Sequence, residues 1–376
     1  MMLSYWEQKN FLDYDLIVVG AGFTGLSTAI HFKKNQPKSK VLVLERGVFP
    51  TGASTKNAGF ACFGSLTEIL DDFWVMSPDE VVQLVERRYE GLRQIRKHFG
   101  DKVLRYQHRS GYEILDESNV SALDRLPDTN RLLKKVFKDE VFSIVKKPGK
   151  FGFSEKVKAV VKNKFEGELD PGAYLGALWH KASKLGITIL TGLTVVEVDP
   201  EQGRVVAENK EKSSGFEFSA GKVAVCTNAF TKKLWSESPL EPGRGLILLS
   251  KPLHFDLPWK GAFHMDKGYV YFREVDGRLL LGGARNKDFE NEKSTEFSVN
   301  PSIKAHLDQL AKEVIFPYRE FEWEMEWTGI MAFGPKKTPV IQQIGNKTAV
   351  AVRLGGMGVA IGWQVGKELA ALLSEM

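Results

Sequence analysis

The sequence predicts an α/β fold: a parallel sheet covered by helices, interleaved with an α+β domain built on a mostly antiparallel sheet. Three observations predict it. First, the apolar run Asp15-Leu16-Ile17-Val18-Val19 leads through a glycine-rich turn into a helical stretch bearing Leu26, Ala29, Ile30 and Phe32, and Val41-Leu42-Val43-Leu44 follows. Strands buried on both faces read as continuous apolar runs, so this is a βαβ unit. Second, the pattern changes near Ser77 to charged amphipathic helices and short strands, as an insertion would. Third, runs of the first style return at Ile187 to Leu190, Val195 to Val198 and Val223 to Val225. The expected division gives residues 1–76, 156–245 and 328–376 to the first domain and 77–155 and 246–327 to the second.

Each later element follows from its own signal. Ser77-Pro78-Asp79-Glu80 marks a helix start, and Val81, Leu84, Tyr89, Leu92 and Ile95 recur at helical spacing up to His98. Gly111 to Leu115 reads as a strand, and Asp170-Pro171-Gly172 opens a helix carrying Leu175, Leu178 and Ala182. Strands dominate between Leu246 and Gly329, including Tyr269 to Phe272 and Leu279 to Leu281. Glu320 to Trp327 alternates acidic with large apolar residues, the period of a half-buried strand with one wet face. Ala349 to Val352 is a strand, Leu354 to Gly358 a turn and Ala360 to Leu373 a helix.

With 376 residues, 43% of them apolar, the chain can bury real cores. Lys and Arg number 52 against 47 Asp and Glu, and no basic run concentrates the surplus, so no nucleic-acid partner is expected. The two cysteines, Cys62 and Cys226, stand far apart, which argues against a disulfide framework or a cysteine-based zinc site and for a reducing, cytoplasmic setting. The first ten residues lack the apolar core of a secretory signal, and no run reaches the roughly 18 apolar residues of a membrane span. Peripheral membrane contact stays open.

Gly20-Ala21-Gly22-Phe23-Thr24-Gly25 sits between the first strand and its helix and matches the dinucleotide fingerprint. Gly20 permits the tight turn, Gly22 lets a pyrophosphate reach the backbone, and Gly25 lets helix and strand pack closely. The helix N-terminus adds unpaired N–H groups and partial positive charge. About twenty residues beyond Gly25, Glu45 ends the second strand and can accept hydrogen bonds from ribose hydroxyls, with Arg46 beside it. An acid there repels a 2′-phosphate, which argues against NADP. FAD and NAD share this turn. The split of the nucleotide-type strands by an insertion, and the late turn Gly355-Gly356-Met357-Gly358 aimed by a helix at one bound group, favour a flavin.

These motifs, in their order, resemble the D-amino-acid oxidase-like superfamily of FAD-dependent oxidoreductases, the group with glycine oxidase, sarcosine oxidase and gamma-glutamylputrescine oxidase. The likeness runs from Asp15 to Leu373. It implies a Rossmann-like FAD-binding domain of the GR2 type. Gly52-Ala53-Ser54-Thr55-Lys56-Asn57-Ala58-Gly59 is similar to the second flavin loop, nearest in form to gamma-glutamylputrescine oxidase. The segment with Gly186 and Val195 resembles the one that meets the adenine through its backbone; Cys226-Thr227-Asn228 and Gly355 to Val359 resemble turns beside the cofactor. Three departures stand out. Trp327-Thr328-Gly329-Ile330 leads to Met331 where glycine oxidase carries an Arg that holds the substrate carboxylate. The flavin-linking Cys of sarcosine oxidase also has no counterpart there, so non-covalent FAD is expected. Its oxygen-activating Lys aligns with Leu280, which argues against fast oxidase chemistry.

The resemblance implies an enzyme that oxidises a C–N bond of an amine or amino-acid-like small molecule, a hydride leaving for flavin N5 and oxygen or another acceptor taking the electrons. The alternatives are a FAD-dependent 2-hydroxy-acid dehydrogenase and a non-catalytic flavin-binding redox sensor. The flavin carries the chemistry, so no protein triad is needed. Substrate contacts are expected from Phe60, Cys62, Tyr271, Arg273, Trp327 and Met331. Core packing would equally explain the aromatics, an ion-paired strand face would explain Arg273, and a buried inert thiol is the simpler reading of Cys62. The acidic row Glu320, Glu322, Glu324 and Glu326 reads as a solvated strand face rather than an amine-attracting surface. The seven histidines show no ligand spacing, His254 and His264 lie in unrelated contexts, and no metal site is expected.

Overall fold

The computed structural model describes residues 2–209 and 212–376. They form two compact units. The first comprises Met1–Thr55, Pro171–Pro242 and Met331–Met376. Its main sheet runs Val340–Gln343, Thr348–Val352, Lys212–Val225, Asp13–Val19, Val41–Leu44 and Thr188–Leu190. All neighbours but the first pair are parallel. Leu16 to Val19 and Val41 to Leu44 are buried without alternation, which is why both read as plain apolar runs.

The helix Phe23–Asn35 turns Leu26, Ala29, Ile30 and Phe32 inward. The last helix, Gly358–Glu375, packs on it at very short range. A Cβ on Gly366 would stand 2.5 Å from the Ser27 Cβ, and one on Gly362 3.0 Å from the Phe23 Cβ. Ser27 Oγ closes the contact by donating to the Trp363 carbonyl at 2.7 Å. The last helix thus returns to Phe23–Asn35, and the nucleotide-type turns at 20–25 and 355–358 belong to one unit.

The sequence places Val195 to Val198 among the buried strands; the structure does not. Thr194–Asp199 pairs antiparallel with Arg204–Asn209, which pairs in turn with Lys212–Val225, and no residue of Thr194–Asp199 is buried. An antiparallel ribbon beyond the main sheet keeps a wet face, so its valines stay half-exposed.

The second unit comprises Lys56–Asp170 and Gly243–Ile330. Its sheet runs Trp323–Phe333, Glu241–Ser250, Arg278–Gly283, Val270–Val275, Ala262–Met265, Gly111–Leu115, Ala159–Asn163 and Phe142–Ile144. From Glu241–Ser250 to Phe142–Ile144 the pairings are antiparallel except Ala262–Met265 with Gly111–Leu115. The rings of Phe263 and Phe272 stack 4.8 Å apart at the centre of its core, with Trp259 edge-on to both. The helix Pro78–Phe99 starts where its sequence says, with Ser77 and Glu80 forming a reciprocal capping box.

Residues 56–76 and 156–170 lie in this unit, although their sequence suggests the first. Leu66 and Ile69 pack with Val81 and Val85 in one core, and Ala159–Asn163 pairs with Gly111–Leu115. The acidic strand begins at Trp323 rather than Glu320, and Met325 is exposed on it. Glu322, Glu324 and Glu326 form ion pairs with Lys251, Arg278 and Lys304, as a solvated face does. Among the described residues no helix is long and apolar enough to cross a membrane.

Candidate active site

In the first unit the strand Asp13–Val19 ends at Gly20, whose φ of +102° suits glycine and whose amide donates to the Leu44 carbonyl at 2.8 Å. A Cβ on Gly25 would lie 1.9 Å from the Gly20 oxygen, so the helix begins directly over the turn. The Ala21 amide donates to Glu45 Oε2 at 3.0 Å and the Gly47 amide to Oε1 at 3.0 Å, which fixes this buried carboxylate beside the turn. Ser54 Oγ accepts from the Phe23 amide at 3.0 Å. The helix N-cap is Gly22, which has no side chain to spend on the first-turn amides. A helix start with no side-chain cap of its own, followed by an oriented carboxylate with spare lone pairs, suits the pyrophosphate and ribose of a dinucleotide.

The same unit holds the other turns. Arg46 lies over the Phe230 ring at 3.7 Å. Thr55 Oγ1 donates to the Pro50 carbonyl at 3.0 Å and thereby shapes the Ala53 to Thr55 stretch. Thr227 Oγ1 meets Thr231 Oγ1 at 2.9 Å, and Asn228 Oδ1 accepts from the Arg353 amide at 3.1 Å. Asn228 and Arg353 have φ of +47° and +63°, a strained conformation for side-chain-bearing residues that this bond holds in place. Gly355 and Gly356 follow with positive φ, and the helix Gly358–Glu375 starts at Met357 with no side-chain cap and no acid in its first turn; Val359 is buried. This is a second helix N-terminus open to an anionic group. Met331 Sδ stands 3.7 Å from where a Cβ on Gly356 would be, so Met331 belongs with this turn. Val195 is half-buried in the ribbon of the same unit.

In the second unit Phe60, Tyr271 and Trp327 pack around Ala58, Ile247 and Leu280. Phe60 and Tyr271 meet edge to face at 5.7 Å. Tyr271 lies opposite Gly282, and a Cβ there would approach its ring to 2.8 Å. Burial pushes the Tyr271 hydroxyl up to about 12, against the opposing pull of the Arg285 charge. Trp327 Nε1 donates to the Lys56 carbonyl at 3.3 Å, and Asn57 Oδ1 accepts from the Gly59 amide at 2.8 Å; both pin the loop that leads into Phe60.

Arg273 sits on the same strand as Tyr271, two residues on, and is 8% exposed. Its Nη1 stands 3.6 Å from Glu168 Oε2, and its buried Nε has no hydrogen-bond partner among the described residues. Glu168 is paired in register with Phe60 and also takes Arg109 Nη1 at 2.7 Å. Burial pulls the Arg273 guanidinium below its ordinary value, opposed by Glu168. A buried cation with an idle N–H beside an aromatic cluster can donate to a carboxylate oxygen.

Two features escaped the sequence reading. Arg285 lies over the rings of Tyr269 and Phe289 and acts on the Tyr271 hydroxyl; its place just past the Gly282-Gly283 end of the strand facing Tyr271 was the available signal. The second is a group of potential metal donors that the histidine spacing does not show. Cys62 sits beside Glu166 and His264, buried, with one donor atom of each within 4.8 Å of the others. The three come from separate stretches of chain, so no spacing announces them.

The family model for FAD-dependent oxidoreductases, DAO, matches residues 15–372. Sarcosine oxidase subunit beta of Rhodobacter capsulatus is 22% identical over 94% of this chain and 81% of its own length. Glycine oxidase from Geobacillus kaustophilus superposes with a TM-score of 0.75 at 17% identity, covering 97% of this chain and 95% of that one. Iminodiacetate oxidase from Chelativorans sp. BNC1 does so with 0.74 at 16% identity, covering 96% and 95%. With a match spanning nearly the whole chain and a glycine-lined turn built for a dinucleotide, the protein belongs to the DAO family of FAD-dependent oxidoreductases.

Proposed function

We propose that this chain oxidises a C–N bond of an amine or amino-acid-like small molecule to an imine, which water then hydrolyses. Bound FAD, held without a covalent link, supplies the two-electron acceptor for a hydride leaving the carbon next to nitrogen. The residues of the first unit that would hold it are the Gly20 to Gly25 turn, Glu45, Arg46, Ala53 to Thr55, Val195, Thr227, Asn228 and Gly355 to Val359.

One observation carries the substrate reading: the aromatic cluster of Phe60, Tyr271 and Trp327 with Arg273 buried on the same strand as Tyr271. Aromatic faces attract an amine cation, and the idle Arg273 Nε supports recognition of a carboxylate. The chain's own residues bind and orient; none is needed as a covalent nucleophile. Cys62, another expected contact, has a thiol pushed well up by burial, which makes it a poor nucleophile.

Leu280, buried in this cluster and opposite Arg273, offers no charge to activate oxygen, which supports an acceptor other than oxygen. The two free thiols support a reducing, cytoplasmic setting. Product analysis tests the reading. A reduced-flavin equivalent should appear with one carbonyl product and one ammonia or amine; a keto acid formed from a hydroxy acid with no nitrogen released would replace it with 2-hydroxy-acid oxidation.

A further inference from the structure

We propose that Cys62, Glu166 and His264 form a binding site for a thiophilic divalent cation of the Zn²⁺ class, independent of the substrate reading above. Cys62 follows the strand Phe60–Ala61, Glu166 precedes Gly167–Glu168, and His264 lies in Ala262–Met265. All three side chains are buried, and one donor atom of each lies within 4.8 Å of the other two. Zinc bonds of about 2.0–2.3 Å in a tetrahedron set donor atoms roughly 3.3–3.8 Å apart. Closing the set therefore takes at most about 1.5 Å of relative side-chain movement. Three protein donors leave a fourth place for water or hydroxide.

The donors are oriented as ligands are. Glu166 Oε1 is taken up by the Phe63 and Gly64 amides at 3.1 and 3.3 Å, which leaves Oε2 aimed at His264 Nε2, 3.1 Å away. Outer contacts of this kind fix first ligands in metal sites. Gly111 makes the room, since a Cβ there would stand 1.9 Å from Glu166 Oε2. The Phe60 ring covers the imidazole edge-on at 5.2 Å. The charges nearby favour a cation: the carboxylates of Glu68, Glu113 and Glu166 surround the group against one guanidinium, Arg88.

A thiolate, an imidazole and a carboxylate together select zinc-like ions over the all-oxygen coordination of Ca²⁺ and Mg²⁺. On binding, the thiol loses its proton to solvent, and the Nε2 proton that makes the contact with Glu166 Oε2 is also released to solvent, Nδ1 keeping the ring's remaining proton, so that two anionic ligands neutralise the divalent charge. The ion would tie three chain segments of the second unit at one point, beneath the aromatic cluster.

The test uses full-length holoprotein produced with added Zn²⁺ and dialysed against a weak chelator. Elemental analysis should find one zinc per chain, and Co²⁺ in its place should give a thiolate-to-cobalt charge-transfer band in the difference spectrum against the cobalt-free holoprotein. Cys62→Ser should weaken binding by at least about 100-fold and remove the band, with His264→Gln also weakening it. Absence of retained zinc and of the thiolate band in the unaltered protein would overturn the proposal, whatever the variants do. So would binding that both substitutions leave unchanged.

Discussion

The Ala21 amide donates to Glu45 Oε2 at 3.0 Å, joining the glycine-rich turn to the end of the second strand. The contact makes one structure of two motifs that lie apart in sequence. Hydrogen bonds to a charged acceptor contribute about 1.5–3 kcal/mol. Glu45→Gln replaces the charge and puts a donor where the turn needs an acceptor. Its FAD dissociation constant should rise about 10–100-fold, read from flavin fluorescence released on dilution. Unchanged retention would mean that Glu45 serves packing alone.

Gly25 offers a contrast with Gly52. A Cβ on Gly25 would stand 1.9 Å from the Gly20 oxygen, whereas one on Gly52 meets nothing within 4 Å. Gly25→Ala should destabilise the protein by several kcal/mol and abolish flavin retention, while Gly52→Ala leaves both within about 0.5 kcal/mol. Thermal melts of the two variants, with the absorbance of the bound cofactor, check this.

Arg273 carries the carboxylate half of the substrate reading. Arg273→Met should raise KM for carboxylate-bearing amines by at least tenfold, about 1.4 kcal/mol, and change KM for uncharged-tail amines little. Arg273→Lys should recover only part of the loss, because the planar fork is gone. Steady-state kinetics on a matched pair of amines decides it, and equal effects on both would remove Arg273 from the binding site.

Met331 packs at the Gly356 turn and brings no cation. Free glycine and sarcosine should therefore reduce the bound flavin at least tenfold more slowly than larger amines, a difference of about 1.4 kcal/mol. Stopped-flow bleaching under nitrogen measures this, and rapid bleaching by glycine would contradict it.

Much of the first unit was legible because parallel strands bury both faces and so write themselves as apolar runs; Val41–Leu44 is an example. Val195 to Val198 misled for the same reason. An apolar composition does not reveal that its strand continues an antiparallel ribbon beyond the sheet. Segments 56–76 and 156–170 were misassigned because pairing partners far along the chain, not local periodicity, decide which core they join. The dinucleotide turn could be read from local spacing. The Cys62, Glu166 and His264 group could not, because strand pairing alone brings such residues together.

The most direct measurement is an anaerobic titration of the purified holoprotein with a library of primary and secondary amines and amino acids, followed by admission of air. The account predicts a yellow protein whose flavin is bleached by amine-bearing compounds, with release of ammonia or amine, and recovers its colour slowly in air. A colourless protein that cannot be reconstituted with FAD would contradict it, and so would a flavin reduced by 2-hydroxy acids but by no amine.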